Sequence, residues 1–471
     1  MLFNSFPFVL LVLITAFFYY RKMLLNYQRQ ILIISSCIFY AYGQPLLLAL
    51  LLFSASINSI ASYYVYFETN NFRKKLYATV GVVFNLLVLM YFKYIGLFVS
   101  IIDSFTNVGG IGELFVLIPL PIGISFYTFQ GISLVVDLYR NNGEDSINTW
   151  HVEKKFSKHF IDTVFFISFF PQLVAGPIVK AYQFYPQIKH KYFKDIEFEK
   201  SVKLLIVGYF FKMVVADNLK DQTFWMTYPY FENLSSLNLM ALLFGYSMQI
   251  FADFAGYSLI AIGIAKLYGY NLSRNFCFPY IAKSFSEFWT RWHISLSTWL
   301  KEYLYIPLGG NRKGNMKTYV NLMLVMAFGG LWHGAALSYV VWGLYHGSLL
   351  AVERFVQKNI IKIKNPMFDY LKIIFVFSVV TIGWLLFKLP NFDQVILYVK
   401  AFFENSSLSI NKLSLLLIAC YSMPIVIYHL SYLSYQRTGK NYLNNNLVYS
   451  VMFFLIVTNS GSSGEFIYFQ F

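Results

Sequence analysis

His333 stands as the single ionisable ring in Ala327-Phe328-Gly329-Gly330-Leu331-Trp332-His333-Gly334-Ala335-Ala336, a run otherwise made of apolar and small residues. An imidazole titrates near about 6.5, and burial lowers that value. A histidine in such a run therefore holds an unprotonated nitrogen able to take a proton from a hydroxyl. The surrounding glycines suggest a substrate channel passing the ring; the other reading is a structural histidine bonded to a neighbouring helix. His346, in Trp342-Gly343-Leu344-Tyr345-His346-Gly347, offers a similar choice. It lines a site or pairs across helices, and its flanking glycines let backbones approach closely. Gln249, Asp253 and Tyr257 recur at every fourth position and make one polar stripe on an otherwise apolar helix. That stripe lines a cavity or orients a catalytic partner, or it fixes packing through an interhelical hydrogen bond.

The elements that must hold these groups lie in a membrane. The chain has 471 residues, 58% hydrophobic and 13% charged, with a mean hydropathy of +0.54. A water-facing surface ordinarily draws on roughly 25% charged residues. Long apolar runs occur at 6–20, 31–53, 76–102 and 373–387, and about 20 apolar residues span a bilayer core as helix. Ionisable groups at that depth cost about 2.5–3.5 kcal/mol each on insertion scales, which marks each as a functional candidate. The first run is followed, not preceded, by Arg21, Lys22 and Arg29 and has no small-residue cleavage site. It reads as a retained span and not as a signal peptide.

The net charge of +15 follows from Lys and Arg gathered in short cytoplasmic loops, and no basic patch set apart from the spans points to nucleic acid. Basic clusters alternate along the chain with Lys/Arg-poor loops near 103–113, 221–237 and 390–413. That alternation predicts about 12 spans, with the N-terminus and the tail 459–471 outside. The segment 160–179 is apolar with basic flanks on both sides, and 170–177 contains Pro171, Gly176 and Pro177. It is expected to be re-entrant. Cys37, Cys277 and Cys420 match no metal-ligand spacing. The chain is expected to be one all-α membrane domain, 1–471, without a bound metal or cofactor.

Ser284-Phe285-Ser286-Glu287 has the form of a capping box. It predicts an interfacial helix running from there through Tyr303, stopped by Pro307 and Gly309-Gly310. Glu287 and Arg291 are placed to pair one turn apart. His293 falls beside Arg291 and above Ser297.

Phe288–Ser297, Tyr303–Gly310 and Trp332-His333-Gly334-Ala335 resemble the membrane-bound O-acyltransferase family, in its bacterial branch of alginate and peptidoglycan O-acetyltransferases. Phe170–Pro177, Phe251–Tyr257 and Met1–Ser5 extend the resemblance over essentially the whole chain. It implies a ring of tilted helices around a central funnel, with re-entrant and interfacial helices. It carries the family's catalytic histidine onto His333 and its second polar residue onto His293. Phe466-Ile467-Tyr468-Phe469-Gln470-Phe471 resembles the Phe-x-Tyr-x-x-Phe tail of bacterial cell-surface acylation systems, which implies Tyr468 as an acyl carrier outside the cell; the other reading of the tail is a hydrophobic end that docks on the protein.

From that resemblance follows an expected mechanism. Acetyl-CoA enters from the cytoplasm, with basic residues of 291–317, Arg291 among them, meeting its phosphates. Ser297, Gln249, Asp253, Tyr257, Trp332 and His346 are expected around the substrate. His333 activates Tyr468, whose hydroxyl ordinarily titrates near about 10, for attack on the thioester. The chain has no Gly-x-Ser-x-Gly nucleophile, so an extracytoplasmic partner transferase of the SGNH type is expected to pass acetyl to a cell-surface polysaccharide. A composition rich in Lys, Asn, Ile and Phe tilts that expectation towards peptidoglycan over alginate. The expected location is the bacterial cytoplasmic (inner) membrane, in contact with lipid. The alternatives are transfer of D-alanyl or another acyl group by the same fold, or a non-covalent transporter or flippase. Transporters commonly carry inverted repeats, and none is visible here.

Overall fold

The computed structural model describes residues 1–43, 45–96, 98–99, 121–140, 152–174, 176–359, 366–462, 464 and 466. Every regular element among them is helical. They gather into two compact units, Met1–Leu205 with Ile260–Ser273 and Ile206–Leu259 with Arg274–Phe471. Tyr468 and the whole loop 103–113 lie outside the described residues.

The first unit is built from α1 (Phe6–Tyr19), α2 (Gln28–Ala41), α3 (Pro45–Phe67), α4 (Asn71–Leu89), α5 (Ile124–Arg140) and α6 (Phe156–Ser168). Its pattern is the reverse of a water-soluble bundle. On α3, Ser54, Asn58 and Ser62 recur every fourth residue and are buried, while Phe53, Ile60 and Tyr64 are exposed. Asn58 and Asn85 exchange amide hydrogen bonds of 3.2 and 2.7 Å between α3 and α4. Polar groups turned inward and apolar groups turned outward suit a lipid surround. Together with its apolar spans, this makes the chain a multi-pass membrane protein.

The expected break in 160–179 is present. α6 ends at Ser168, Phe169 leaves helical geometry, and only the single turn Phe170–Leu173 follows. The backbone N–H of Phe170 is met by the Ser36 hydroxyl at 3.1 Å, which answers a buried donor that the broken helix frees. The 13 residues of α6 rise about 20 Å, short of a bilayer core of about 30 Å.

The second unit begins inside α7 (Phe198–Tyr209), which passes through a π-helical turn, Phe210–Ala216, into α8 (Asp217–Thr223). There follow α9 (Ser236–Leu267), which continues into the first unit, then α10 (Phe285–Arg291) and α11 (Ile294–Leu300). After these come α12 (Asn315–His333), α13 (Leu337–Asn359) and α14 (Pro366–Lys388). α15 (Phe392–Glu404), α16 (Lys412–Thr438) and α17 (Asn446–Thr458) close the unit.

Five described helices are long and apolar enough to cross a membrane, or up to six if the bent pair at the N-terminus is one span. The about 12 spans expected from hydropathy are a count over the whole chain, whereas these are counted among the described residues by length and composition. Helices such as α6, α12 and α13 are shorter or carry more polar side chains than those counted.

Candidate active site

The capping box forms its first half as expected. Ser284 accepts a 3.0 Å bond from the backbone N–H of Glu287, while the Glu287 carboxylate accepts from Lys283 N at 2.8 Å. The helix does not run on to Tyr303. It stops at Arg291, and His293 takes φ 41° and ψ 54° before α11 begins. The cause is a competing backbone segment. Cys277 N donates to the Arg291 carbonyl at 2.9 Å, and Ile294 N donates to the Asn275 carbonyl at 2.9 Å. A continuous helix would pair those groups with residues four positions away. A left-handed non-glycine residue costs on the order of 1–3 kcal/mol and persists only where its surroundings enforce it.

That break turns the His293 ring into the interior, where it is fully buried. It meets Phe254 edge-on at 4.6 Å and Trp332 at 5.7 Å. Its centroid lies 6.4 Å from that of His333. Burial pushes the His293 imidazole down to about 3, so the ring is neutral near pH 7.

His333 is the last residue of α12 and is also buried. Trp332, Trp342 and Phe387 surround it at 5.0, 5.3 and 5.1 Å. The glycines beside it do not open a channel. A Cβ on Gly330 would lie 2.0 Å from the Tyr339 carbonyl oxygen, and one on Gly343 2.2 Å from the Met326 carbonyl oxygen. These glycines let α12 and α13 touch backbone to backbone, and the Tyr339 ring fills the space beside Gly334.

Trp342 links His333 to His346, with Trp342 and His346 rings 4.9 Å apart. His346 is fully buried against Trp289 at 5.2 Å and stacked on Phe288 at 6.2 Å. Among the described residues neither of its ring nitrogens has a hydrogen-bond partner, so it does not pair across helices as one sequence reading allowed. It shares one aromatic cluster with His333.

Arg291 is already engaged. It pairs with Glu287 at 2.7 Å and donates to the Cys277 carbonyl at 3.0 Å, bracing the same segment that breaks the helix. Ser297 donates to the Trp292 carbonyl at 3.3 Å. Both hold the geometry of the break.

The stripe on α9 finds a partner that sequence reasoning missed. Lys212, in the π-turn, lies 2.8 Å from Asp253 and 2.8 Å from Asp217, all three buried. Gln249 accepts from the Thr223 hydroxyl. The Tyr257 ring packs against Phe466 at 4.3 Å, tilted by 39°, so a tail residue reaches the interior of this unit. The signal for Lys212 was present: it is the sole charged residue in the run 204–216. Among the described residues no cluster of His, Cys, Asp or Glu could hold a metal ion.

A family model, MBOAT, membrane-bound O-acyltransferase family, matches residues 113–392. A probable alginate O-acetylase of Pseudomonas aeruginosa is 35% identical over 422 residues, covering 87% of this chain and 76% of that protein. A peptidoglycan O-acetyltransferase of Helicobacter pylori is 33% identical, covering 81% and 75%. A teichoic acid D-alanyltransferase of Bacillus subtilis is 28% identical, covering 57% and 68%.

Proposed function

From a chain that belongs to the membrane-bound O-acyltransferase family, and is thus a membrane O-acyltransferase, we infer a transfer of acetyl from cytoplasmic acetyl-CoA across the membrane for O-acetylation of a cell-surface polysaccharide. This family assignment sets aside the transporter reading. The observation that carries the proposal is the pair of buried imidazoles of His293 and His333, 6.4 Å apart in an aromatic enclosure.

His333 acts as general base. It takes the proton of an acceptor hydroxyl as that oxygen attacks the thioester carbonyl. The C–O bond forms, the C–S bond breaks, and the proton passes to the departing thiolate. His293, neutral by burial, places a second imidazole beside the reacting groups. The first acceptor is Tyr468. Phe466 is buried against Tyr257 and Phe254, and two residues of chain span at most about 7 Å, which supports a tail within reach of the site.

The acetyl group then passes to an extracytoplasmic SGNH-type partner and on to the polymer, with the termini outside the cytoplasmic membrane. Peptidoglycan is the first polymer to test, on the compositional bias alone. D-alanyl transfer is separated from acetyl transfer by supplying each donor in turn.

The experiment is incubation of membranes with isotopically labelled acetyl-CoA, followed by mass spectrometry of the tail peptide. Label on Tyr468 in the wild type and its loss in His333→Ala is the expected result. An unlabelled tail in the wild type, or full label in His333→Ala, sinks the relay.

A further inference from the structure

After α17 the chain folds back and is held at nearly every described residue. The Asn459 carbonyl accepts from the Asn218 amide at 3.1 Å, and the Asn459 side chain accepts from the Tyr421 hydroxyl at 3.3 Å. Gly461 N donates to the Met213 carbonyl at 2.9 Å, inside the π-turn. The Ser462 carbonyl accepts from Lys220 at 3.0 Å, and its hydroxyl donates to Asp221 at 2.7 Å. Phe466 then enters the interior with no exposed surface. Chain ends are ordinarily loose unless tied down, and this one is tied by hydrogen bonds at Asn459, Gly461 and Ser462 before its aromatic anchor.

The fit at Gly461 is set by backbone. A Cβ there would lie 2.6 Å from Asn218 N and 2.6 Å from the Asp217 carbonyl carbon. Neither can swing aside as a side chain would. The surface it lies on is fixed from beneath: Asp217 is held by Lys212, and Lys212 by Asp253 on α9. One turn along α9 from Asp253, Tyr257 packs against Phe466. Phe254 lies between the tail and the site, 5.7 Å from Phe466 and 4.6 Å from His293.

We propose that Gly461, Asn218 and Asp221 are positioning residues that seat the C-terminal tail up to Phe466, whose packing on Phe254 in turn braces the His293 ring. The seat rests on the reading of His293 and His333 as the reacting pair, but it makes a separate claim: acyl transfer depends on docking of the tail at Asn459–Ser462 and Phe466. A π-turn in α7–α8 is the structural device, since its Met213 carbonyl is where the tail's amide docks.

The test uses the full-length protein in detergent. Gly461→Val is compared with the milder double variant Asp221→Ala/Ser462→Ala and with Tyr468→Phe. Hydrogen exchange by mass spectrometry reads tail docking, and the rate of the first thiol release from acetyl-CoA reads acyl transfer. Gly461→Val is expected to speed exchange of the tail amides at least tenfold and to lower the rate of first thiol release at least tenfold, with the acetyl-CoA concentration giving half-maximal rate within about twofold. The double variant is expected to move both in the same direction, by a few-fold. An unchanged rate of first thiol release with an undocked tail overturns the seat, as does a tail still protected in Gly461→Val. Slow first thiol release in Gly461→Val with a normal rate in Tyr468→Phe upholds the seat and rejects the acyl-tyrosine. The reverse pair of results upholds the acyl-tyrosine and rejects the seat.

Discussion

The imidazoles of His293 and His333 lie 6.4 Å apart, although 40 residues separate them and each ends or begins a different helix. His333 closes α12, and His293 occupies the left-handed break before α11. The two helix ends place both rings in the interior of one unit, where aromatic side chains exclude water.

Loss of either ring should affect turnover differently from stability. A general base contributes about 10²–10⁴-fold, so His333→Ala is expected to lower kcat by that range. Thermal unfolding in detergent should change little beside that loss. A fall in stability large enough to account for the inactivity would instead assign His333 a structural role.

His293 gives a pH signature. Its folded-state value, about 3, is depressed from about 6.5, so the unfolded chain binds this proton first as pH falls. The stability it contributes is complete above pH about 6.5 and is lost as pH falls from there towards 3. The slope is about 1.4 kcal/mol per pH unit within that window. His293→Asn removes this titration, and its melting temperature should decline less between pH 7 and 5 than that of the wild type. Equal declines would show that the ring does not titrate on unfolding in that range.

The buried Lys212 should be costly to remove. Lys212→Met removes the cation that Asp217 and Asp253 share, and breaking a buried pair in this way costs about 3–5 kcal/mol. Equilibrium unfolding in detergent is expected to show a loss in that range. Asp217→Asn should cost less, because Lys212 retains Asp253 at 2.8 Å.

The contact between α12 and α13 leaves no room for a methyl group at Gly343. Gly343→Ala would place a Cβ 2.2 Å from the Met326 carbonyl oxygen, and overpacking of this kind costs about 1–3 kcal/mol or more. Lower thermal stability is expected, together with lower turnover, since the shift moves the helix that ends in His333. Wild-type stability would mean that the two helices can separate without cost.

Much of this arrangement was legible in the sequence. The apolar spans, the capping Ser284, the Glu287–Arg291 pair and the break in 160–179 follow from local composition and spacing. The break at His293 does not, because the groups that compete for its backbone hydrogen bonds, Asn275 and Cys277, come from outside the helix. The glycines near His333 misled for a related reason. Glycine marks a place where something approaches closely, but whether that is substrate or the backbone near Tyr339 depends on the partner helix. Lys212 was visible as a lone cation in an apolar run. Its two carboxylate partners, one five residues away and one 41 residues away, become a set only once α8 and α9 pack.

The central claim, thioester acyl transfer with His333 as base, is tested most directly by rapid mixing of purified protein with acetyl-CoA and measurement of free thiol. The account predicts a burst approaching one thiol per protein in the wild type, as the tail takes up acetyl, and no burst in His333→Ala. A burst of equal size and rate in His333→Ala would contradict it.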